Sequence, residues 1–259
     1  MADYSYHDLY MAAKQALRKV DGENAEFTAR EIVAAATDRT VSQLVADFQL
    51  TIFQRDIKRV NEMVERHLKG EPLAYILGQW EFYGLSLTVT PDVLIPRDDT
   101  EAVCDLAIHQ VKLGVQNPRV LDLCTGTGCI GLAIASKVKD ARVTLGEISP
   151  EALRIAKKNT QDNHLSGRVS CISLDVRQPA PKYLGKYDLI VSNPPYITAR
   201  QMEALDTSVR DYEPRLALYG GVDGLDFYRA IVKNYTPILR DGGFICFEFG
   251  MGQEAEVCQ

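Results

Sequence analysis

The sequence predicts an α/β fold with a mostly parallel sheet, preceded by a small all-α helical bundle and a β-hairpin linker. Apolar residues recur at helical spacing up to residue 78, and from 79 to 96 they alternate as in a hairpin. From residue 97 to 259, short apolar strands alternate with helices, which is typical of a parallel sheet with helices on both faces. We therefore divide the chain into residues 1–78, 79–96 and 97–259.

Residues 1–78 contain apolar stripes typical of helices that pack against one another. One stripe covers residues 6–20, and a second covers residues 53–68 and ends at Gly70. Between the two stripes, Thr28 and Glu31 have the spacing of a capping box, so we expect a helix to begin there. The bundle is either a structural cap or a docking module for a macromolecular partner, and its sequence favours neither.

Five apolar segments after residue 97 are predicted strands, with predicted helices between them. In an open parallel sheet, ligands bind at the carboxyl ends of the strands, so the residues that follow each strand are candidates for a site. The expected strands cover residues 119–123, 141–147, 169–174, 187–192 and 243–249, and the expected helices cover residues 98–114, 129–138, 150–164 and 225–239.

The composition argues against several classes of function. The chain of 259 residues has a formal net charge of -6, which repels polyphosphate and makes nucleic acid a disfavoured partner. It has no apolar run of about 20 residues and no secretory signal at its start, so we expect a cytoplasmic protein without membrane contact. Its six cysteines include no CxxC pair and its four histidines no HExxH motif, so we expect neither a metal site nor disulfides.

A glycine-rich turn follows the first strand of the predicted sheet. Gly126, Gly128 and Gly131 have GxGxxG spacing, which lets a ligand approach the backbone and the amino terminus of the next helix. The next strand ends at Glu147, where a carboxylate can accept hydrogen bonds from ribose hydroxyls, and the third ends at Asp175–Val176, where an adenine could lie. The pattern predicts a nucleoside-containing cofactor and fits a dinucleotide equally well.

The fourth predicted strand runs into Asn193-Pro194-Pro195-Tyr196, the most informative segment of the chain. Proline has no backbone N–H, so this turn offers carbonyl acceptors without competing donors, and the Asn193 side chain adds another acceptor. Two acceptors that hold both hydrogens of a planar NH2 group can direct its nitrogen toward an electrophilic methyl group, while Tyr196 packs against the plane. The segment therefore predicts methylation of a carboxamide or of an exocyclic base amine.

Between about residue 71 and residue 253, the sequence resembles the HemK/PrmC family, the N5-glutamine methyltransferases of peptide chain release factors. The amino-terminal bundle matches that family only in helical character and length. The motifs that carry the resemblance are Glu71-Pro-Leu-Ala-Tyr-Ile-Leu-Gly78, Glu81-Phe-Tyr-Gly84, Val93-Leu-Ile-Pro-Arg97, Asp122-Leu-Cys-Thr-Gly-Thr-Gly128, Asn193-Pro-Pro-Tyr-Ile197 and Gly220-Gly-Val-Asp-Gly-Leu-Asp226.

The resemblance implies a Rossmann-like class I methyltransferase domain and a helical bundle that docks the substrate protein. It implies methyl transfer from S-adenosyl-L-methionine, with S-adenosyl-L-homocysteine as product, to the glutamine of a Gly-Gly-Gln motif in release factors. By the resemblance, the cofactor is held by Cys124, Thr125, Gly126, Thr127, Gly128, Glu147, Asp175, Val176 and Asn193. The same resemblance places Asn193, Pro194, Pro195 and Tyr196 in the glutamine pocket, with Arg97 beside it.

The sequence departs from the family pattern at three places. Glu147 stands where the family usually has aspartate, and the neighbours of Arg97 differ from the usual Pro-Arg-Pro-Glu-Thr-Glu, which leaves the role of Arg97 open. The family chain continues with a further helix and an antiparallel strand pair, so we expect a domain that is truncated at its C-terminus and whose last strand is an exposed edge. The long connection 198–224 is expected to be a lid, with plain disorder as the alternative.

Four other functions fit part of the sequence. A glutamine methyltransferase that acts on a ribosomal protein has the same catalytic motif. An adenine-N6 DNA methyltransferase also needs an Asn-Pro-Pro-Tyr type of acceptor set, but it would be expected to have a basic face. A nicotinamide oxidoreductase accounts for the glycine-rich turn and leaves Asn193-Pro194-Pro195-Tyr196 unexplained. A catalytically silent interaction module is the fourth alternative.

Overall fold

The computed structural model describes residues 4–113 and 116–258. Contacts divide the chain into two compact units, Met1–Gly78 and Gln79–Gln259. The helix expected over residues 98–114 ends at a residue outside the described ranges. Residue 1, where the first predicted domain begins, and residue 259, where the last one ends, also lie outside them. Within the described stretches, the helices lack the combination of length and hydropathy that crossing a bilayer requires.

The first unit is all helical, as predicted. Its first helix begins after Ser5, whose hydroxyl oxygen accepts a hydrogen bond from the backbone N–H of Asp8, and it buries Leu9 and Leu17 against the neighbouring helices. The helices of this unit are α1 (Tyr6–Asp21), α2 (Ala25–Ala36), α3 (Val41–Ala46), α4 (Gln54–Leu68) and α5 (Leu73–Leu77).

The capping box expected at Thr28 is wrong. Helix α2 begins at Ala25, and Thr28 lies buried inside its first turn, where its hydroxyl donates to the carbonyl oxygen of Asn24 at 3.3 Å. A side chain that is satisfied by the preceding turn does not mark a helix start, although it has the same spacing. The outermost residues of the two predicted apolar stripes are not buried, since Val20 is 58% exposed and Phe53 is 63% exposed.

The predicted hairpin is present at the start of the second unit. Strands β1 (Gln79–Phe82) and β2 (Leu85–Thr88) pair antiparallel, and Phe82 lies opposite Leu85. The two residues between the strands, Tyr83 and Gly84, have φ angles of 54° and 76°, as a type I′ turn requires. The contacts of the chain place this hairpin in the same unit as the sheet.

A five-stranded sheet in the order β5-β4-β3-β6-β7 forms the centre of the second unit, and every neighbouring pair is parallel. The predicted parallel sheet is therefore confirmed. The last strand, β7, lies at one edge of this sheet. The strands are β3 (Arg119–Leu123), β4 (Arg142–Glu147), β5 (Val169–Ser173), β6 (Tyr187–Ser192) and β7 (Leu239–Phe247).

Helices cover both faces of the sheet. One face packs through Val120, Leu145 and Leu189, and the other through Leu121 and Ile190. The remaining helices are α6 (Thr100–Lys112), α7 (Cys129–Lys137), α8 (Pro150–Asp162), α9 (Ala199–Glu203), α10 (Thr207–Arg210), α11 (Arg215–Leu218), α12 (Asp226–Tyr235) and α13 (Glu254–Val257). Helix α12 ends four residues earlier than expected and is followed by a 3-10 turn (Thr236–Ile238), so β7 begins at Leu239 rather than at residue 243.

The strand order reverses between β3 and β6, which opens a crevice at the carboxyl ends of these strands. The chain fills one side of β3 with β4 and β5, and then returns to the other side with β6 and β7. The Ser192 hydroxyl at the end of β6 donates to the carbonyl oxygen of Leu123 at the end of β3, at 2.6 Å. This bond holds the two strand ends level where the crevice begins.

A buried carboxylate, Asp122, braces the turn that leaves β3. It is 1% exposed, and its Oδ2 accepts hydrogen bonds from the Thr125 hydroxyl at 2.5 Å and from the Gly131 backbone N–H at 2.9 Å. Gly131 is required there because a Cβ would meet Leu145, as well as Asp122 and Val143 at 3.0 Å. Burial raises the pKa of Asp122 to about 7, against the lowering effect of its two hydrogen bonds.

We predict that Asp122→Asn changes how stability depends on pH. The folded chain keeps a proton on Asp122 between the unfolded pKa of about 4 and the folded pKa, whereas the unfolded chain does not. The free energy of unfolding of the wild type should therefore fall as pH rises through this window and level off above it. Urea unfolding can be followed by the fluorescence of Trp80, the single tryptophan. The free energy of unfolding of the variant should not show this fall with rising pH. Parallel pH curves for wild type and variant would contradict the prediction, and the surface change Asp241→Asn is the control.

Candidate active site

The backbone after β3 makes a tight turn into α7. Cys124, Gly126 and Gly128 have φ angles of 56°, 54° and 85°, in the left-handed region that favours glycine. Cys124 is the exception in this set, and burial raises the pKa of its thiol, so the sulfur stays neutral. Three left-handed residues within five positions fold the loop back over the strand ends, where its backbone lines a cleft.

Glu147 at the end of β4 organises this loop. Its Oε2 accepts from the Gly126 backbone N–H at 2.9 Å, and its Oε1 accepts from the backbone N–H groups of Ile148 and Ser149 at 2.8 and 2.9 Å. A carboxylate can accept about four hydrogen bonds, so the three backbone donors leave room for a further donor at Oε2. The Ser149 hydroxyl oxygen then accepts from Ala152 to begin α8, as expected for an N-cap.

A cleft of about 600 Å³, which we call the central cleft, opens above these strand ends. The predicted residues Cys124, Gly126, Glu147 and Asn193 lie in its wall, whereas Thr125, Thr127 and Gly128 do not line it within the described chain. The Thr125 hydroxyl bonds to Asp122 instead. The full lining is Asp92, Val93, Leu94, Cys124, Gly126, Glu147, Ile148, Ser149, Ala152, Asn193, Pro195, Pro214, Leu216, Ala217 and Phe227.

A smaller cleft of about 280 Å³, the side cleft, shares five lining residues with the central cleft: Cys124, Glu147, Ile148, Leu216 and Phe227. It also contains Asp175 and Val176, the residues predicted from the end of the third strand. Its remaining lining residues are Leu174 and Arg177. Apolar side chains on several sides of a narrow space suit a flat ring.

The carboxylate of Asp175 is held mainly by Arg177. The guanidinium Nε lies 2.9 Å from Oδ1, and the backbone N–H of Arg177 donates to the same oxygen at 3.0 Å. This pairing lowers the pKa of Asp175, so the group is ionised at neutral pH. Asp175 therefore closes a turn and lines the side cleft at the same time.

A third cleft of about 610 Å³, which we call the outer cleft, also has Asn193 in its wall. Leu94, Asn193 and Ala217 line both this cleft and the central cleft, so Asn193 stands at their junction. Two further predicted residues, Arg97 and Tyr196, line the outer cleft. The full lining is Leu94, Arg97, Asn193, Tyr196, Ile197, Leu205, Val209, Ala217, Leu218 and Glu248.

The carboxamide of Asn193 has an oriented donor end. Its Nδ2 donates to the hydroxyl oxygen of Thr100, at the start of α6, at 3.4 Å. Within the described chain, no donor bonds to Asn193 Oδ1 or to the carbonyl oxygen of Pro194. Pro194 and Pro195 are buried and lack an N–H; Pro195 lines the central cleft, whereas Pro194 lines none of the three clefts.

The backbone around Tyr196 is fixed by close packing from two glycine segments. The Gly220 N–H donates to the Ile197 carbonyl oxygen at 2.9 Å, and a Cβ on Gly220 would meet the Pro195 carbonyl oxygen at 2.5 Å. The Tyr196 ring lies against Gly250, where an added Cβ would meet ring carbons at 3.0 and 3.2 Å. The turn is therefore held in one conformation rather than being a mobile surface loop.

Arg97 forms an ion pair with Glu213, a buried carboxylate in the connection between β6 and α12. The other oxygen of Glu213 accepts from the Ile95 backbone N–H at 3.2 Å. Arg97 also lines the outer cleft. Its guanidinium group therefore pairs with Glu213 and contributes positive charge to the cleft wall. The alternative of a disordered 198–224 connection is wrong, because the connection contains α9, α10 and α11.

Four residues at the site were not among the predicted site residues: Thr100, Asp122, Glu213 and Glu248. Asp122 could have been found as a charged residue within an apolar strand segment. Glu248 could have been found in the same way, since it follows the apolar end of β7. Nothing in the sequence marks Thr100 and Glu213, because their positions depend on contacts with residues about 90 and 116 positions away.

Comparisons with known proteins agree with this geometry. The family described as "Methyltransferase small domain" matches residues 104–215, and the "PrmC N-terminal domain" family matches residues 8–78. Among solved structures, the hMettl16 catalytic domain in complex with a MAT2A 3′UTR hairpin has a TM-score of 0.50 and 18% identity, over 71% of this chain and 65% of that chain. That likeness is one of fold alone.

Two curated relatives are similar over most of their length. The release factor glutamine methyltransferase of Geobacter sulfurreducens is 40% identical over 91% of this chain and 80% of its own length. The protein of the same name from Clostridium acetobutylicum is 38% identical over 83% of this chain and 75% of its own length. These matches confirm the Rossmann-like class I methyltransferase fold and the predicted methyltransferase activity. The chain thus belongs to the HemK/PrmC family of release factor glutamine methyltransferases.

Proposed function

We propose that the chain transfers a methyl group from S-adenosyl-L-methionine to the side-chain amide nitrogen, N5, of the glutamine in the GGQ motif of peptide chain release factors. The observation that carries the proposal is the position of Asn193, which lies between two clefts with Oδ1 free to accept a hydrogen bond. The names of the curated relatives support the same acceptor.

The residues of the central and side clefts fit this cofactor. The loop at Gly126 brings backbone close to the cleft, and Glu147 keeps one acceptor position for a ribose hydroxyl. Ile148, Val176 and Phe227 give the side cleft apolar walls that suit an adenine ring. When bound, S-adenosyl-L-methionine supplies an electrophilic methyl group on a positively charged sulfur.

The outer cleft would receive the glutamine carboxamide. Its nitrogen is a weak nucleophile because its lone pair is delocalised into the carbonyl group. Asn193 Oδ1 and the Pro194 carbonyl oxygen would accept hydrogen bonds from its two N–H groups, which would orient the nitrogen and favour its loss of planarity. The nitrogen–methyl bond would form as the sulfur–methyl bond breaks, and the nitrogen would lose one of its two hydrogens as a proton to leave a neutral secondary amide. No thiolate is needed, and burial raises the pKa of Cys129 to about 12 beside the neutral Cys124.

A direct assay tests the acceptor. The chain is incubated with labelled S-adenosyl-L-methionine and, in separate reactions, with a release factor, with ribosomal proteins and with duplex DNA. We expect label on the release factor alone, at the GGQ glutamine, as located by mass spectrometry. A release factor whose GGQ glutamine is changed to alanine is the matched control. Label on a ribosomal protein or on DNA instead would overturn the proposed substrate.

We predict that Asn193→Ala nearly abolishes methyl transfer and only modestly weakens cofactor binding. The change removes one of the two acceptors that orient the amide, and loss of one preorganised group of this kind lowers kcat by roughly 100- to 1,000-fold. Single-turnover rates give the chemical step, and calorimetry gives the cofactor affinity. Gln161→Ala, which removes an exposed carboxamide from α8, is the control. Near-normal turnover of the Asn193 variant would refute the acceptor role.

We also predict that Glu147→Ala lowers the affinity for S-adenosyl-L-methionine. The variant loses the acceptor for the ribose and the carboxylate that fixes Gly126, and hydrogen bonds to a charged group of this kind are worth roughly tenfold to a hundredfold in binding. Calorimetric titration measures the affinity, and Glu256→Ala, an exposed change in α13, is the control. Unchanged affinity would count against the ribose assignment.

A further inference from the structure

The proposed reaction requires the two ends of the Asn193 carboxamide to be distinguished. The oxygen and the NH2 group have nearly the same shape, so steric fit allows either orientation. If the NH2 end faced the outer cleft, it would oppose the NH2 group of the substrate with donor against donor. Hydrogen-bond partners on the far side of Asn193 must therefore decide the orientation.

Thr100 alone cannot decide it. The Asn193 Nδ2 lies 3.4 Å from the Thr100 hydroxyl oxygen, and Thr100 is 2% exposed at the start of α6. A hydroxyl can both donate and accept, so it would tolerate either end of the carboxamide. The orientation is settled only if something fixes the direction in which the Thr100 hydroxyl donates.

Glu248 is the group that can fix it. Its backbone N–H donates to the Ser192 carbonyl oxygen at 3.0 Å, and because Ser192 pairs with Phe247, Glu248 follows β7 at the level where Asn193 follows β6. Glu248 and Asn193 line the same outer cleft, and the nearby Thr100 hydroxyl and Asn193 amide lower the pKa of the Glu248 carboxyl group. An ionised carboxylate only accepts hydrogen bonds, so a Thr100 hydroxyl turned toward it donates and can then only accept from the Asn193 NH2 group.

We propose that Glu248 is a positioning residue that acts with Thr100 to hold the Asn193 oxygen toward the methyl-accepting amide. This inference rests on the proposed function. The fold itself gains little from this carboxylate, since its buried Oε2 has no hydrogen-bond partner within the described chain. A buried charged group with an unpaired oxygen destabilises the fold, which is typical of a group retained for function.

The arrangement should respond to pH. Burial raises the pKa of Glu248 above its usual range, although Thr100 and Asn193 lower it in part. A protonated Glu248 can donate to the Thr100 hydroxyl. Thr100 can then donate to Asn193, so the orientation of the Asn193 carboxamide is no longer fixed. Other titratable groups act on Glu248 from the surrounding elements: Arg97 and Asp99 before α6, Cys129 at the start of α7, Tyr196 after β6 and Tyr228 on α12.

The test compares Glu248→Gln with the wild type under single-turnover conditions. A glutamine can donate or accept, so kcat should fall by roughly 100-fold while the cofactor affinity stays the same. The wild-type rate should fall as pH drops through the raised pKa of Glu248, which gives the pH–rate profile an acid limb. The profile of Glu248→Gln should lack this acid limb, whereas Glu248→Asp keeps the charge and should restore it. The exposed change Glu254→Gln should leave rate and pH profile unchanged.

A second variant keeps the proposal testable if Glu248→Gln fails to fold. Thr100→Val removes the hydroxyl at nearly the same shape and should lower kcat similarly, whereas Thr100→Ser should restore it. Wild-type kcat in Glu248→Gln, an unchanged acid limb in that variant, or an unaffected Thr100→Val would overturn the positioning role. Because each variant is compared with the wild type on whichever acceptor is methylated, failure of the release-factor assay overturns the proposed function separately.

Discussion

The geometry of the site depends on three parallel strands that end at the same level. The order β5-β4-β3-β6-β7 places the ends of β3, β4 and β6 around one crevice, and the Ser192 hydroxyl ties β6 to β3 there. The loop at Gly126 follows β3, Glu147 is the last residue of β4, and Asn193 directly follows β6. A shift of one residue in any pairing would turn every side chain of that strand to the other face of the sheet.

Two buried carboxylates, Asp122 and Glu213, and the half-buried Glu248 belong to elements that the sheet brings together from distant parts of the sequence. Asp122 holds the glycine loop, Glu213 holds the connection after β6, and Glu248 lines the outer cleft with Asn193. Burial disfavours the ionised form of each group, so each needs donors nearby or changes its protonation. Donors satisfy Glu213 fully through Arg97 and Ile95, whereas Asp122 and Glu248 each keep one unpaired oxygen. Burial raises the pKa of both incompletely satisfied groups, Asp122 and Glu248.

The sequence predicted the architecture because periodicity is a local property. Strands of buried residues such as Val120 and Leu121, and the turn at Gly84, carry their own signals, and the parallel sheet and the hairpin are confirmed. The predicted helix boundaries were less reliable where a side chain can either cap a helix or bond to the preceding turn inside one, as Thr28 does. At the site, Glu147 was identified because it ends a predicted strand, and Asn193 because it directly follows one. Their partners were not, since the hydroxyl of Thr100 lies 93 positions from Asn193 in the chain and only the fold makes them neighbours.

The connection between β6 and α12 is held in place at both of its ends, next to the catalytic turn. It can change conformation only between these two ends. Two backbone hydrogen bonds of 2.9 Å close its base: the Ile197 N–H donates to the Leu218 carbonyl oxygen, and the Gly220 N–H donates to the Ile197 carbonyl oxygen. Opening these bonds would displace Pro195 and Tyr196 as well, because Gly220 packs directly on their backbone. A lid motion that leaves the acceptor turn intact must therefore lie within residues 199–217, and the buried anchor of Glu213 on Arg97 is the contact that such a motion would have to release.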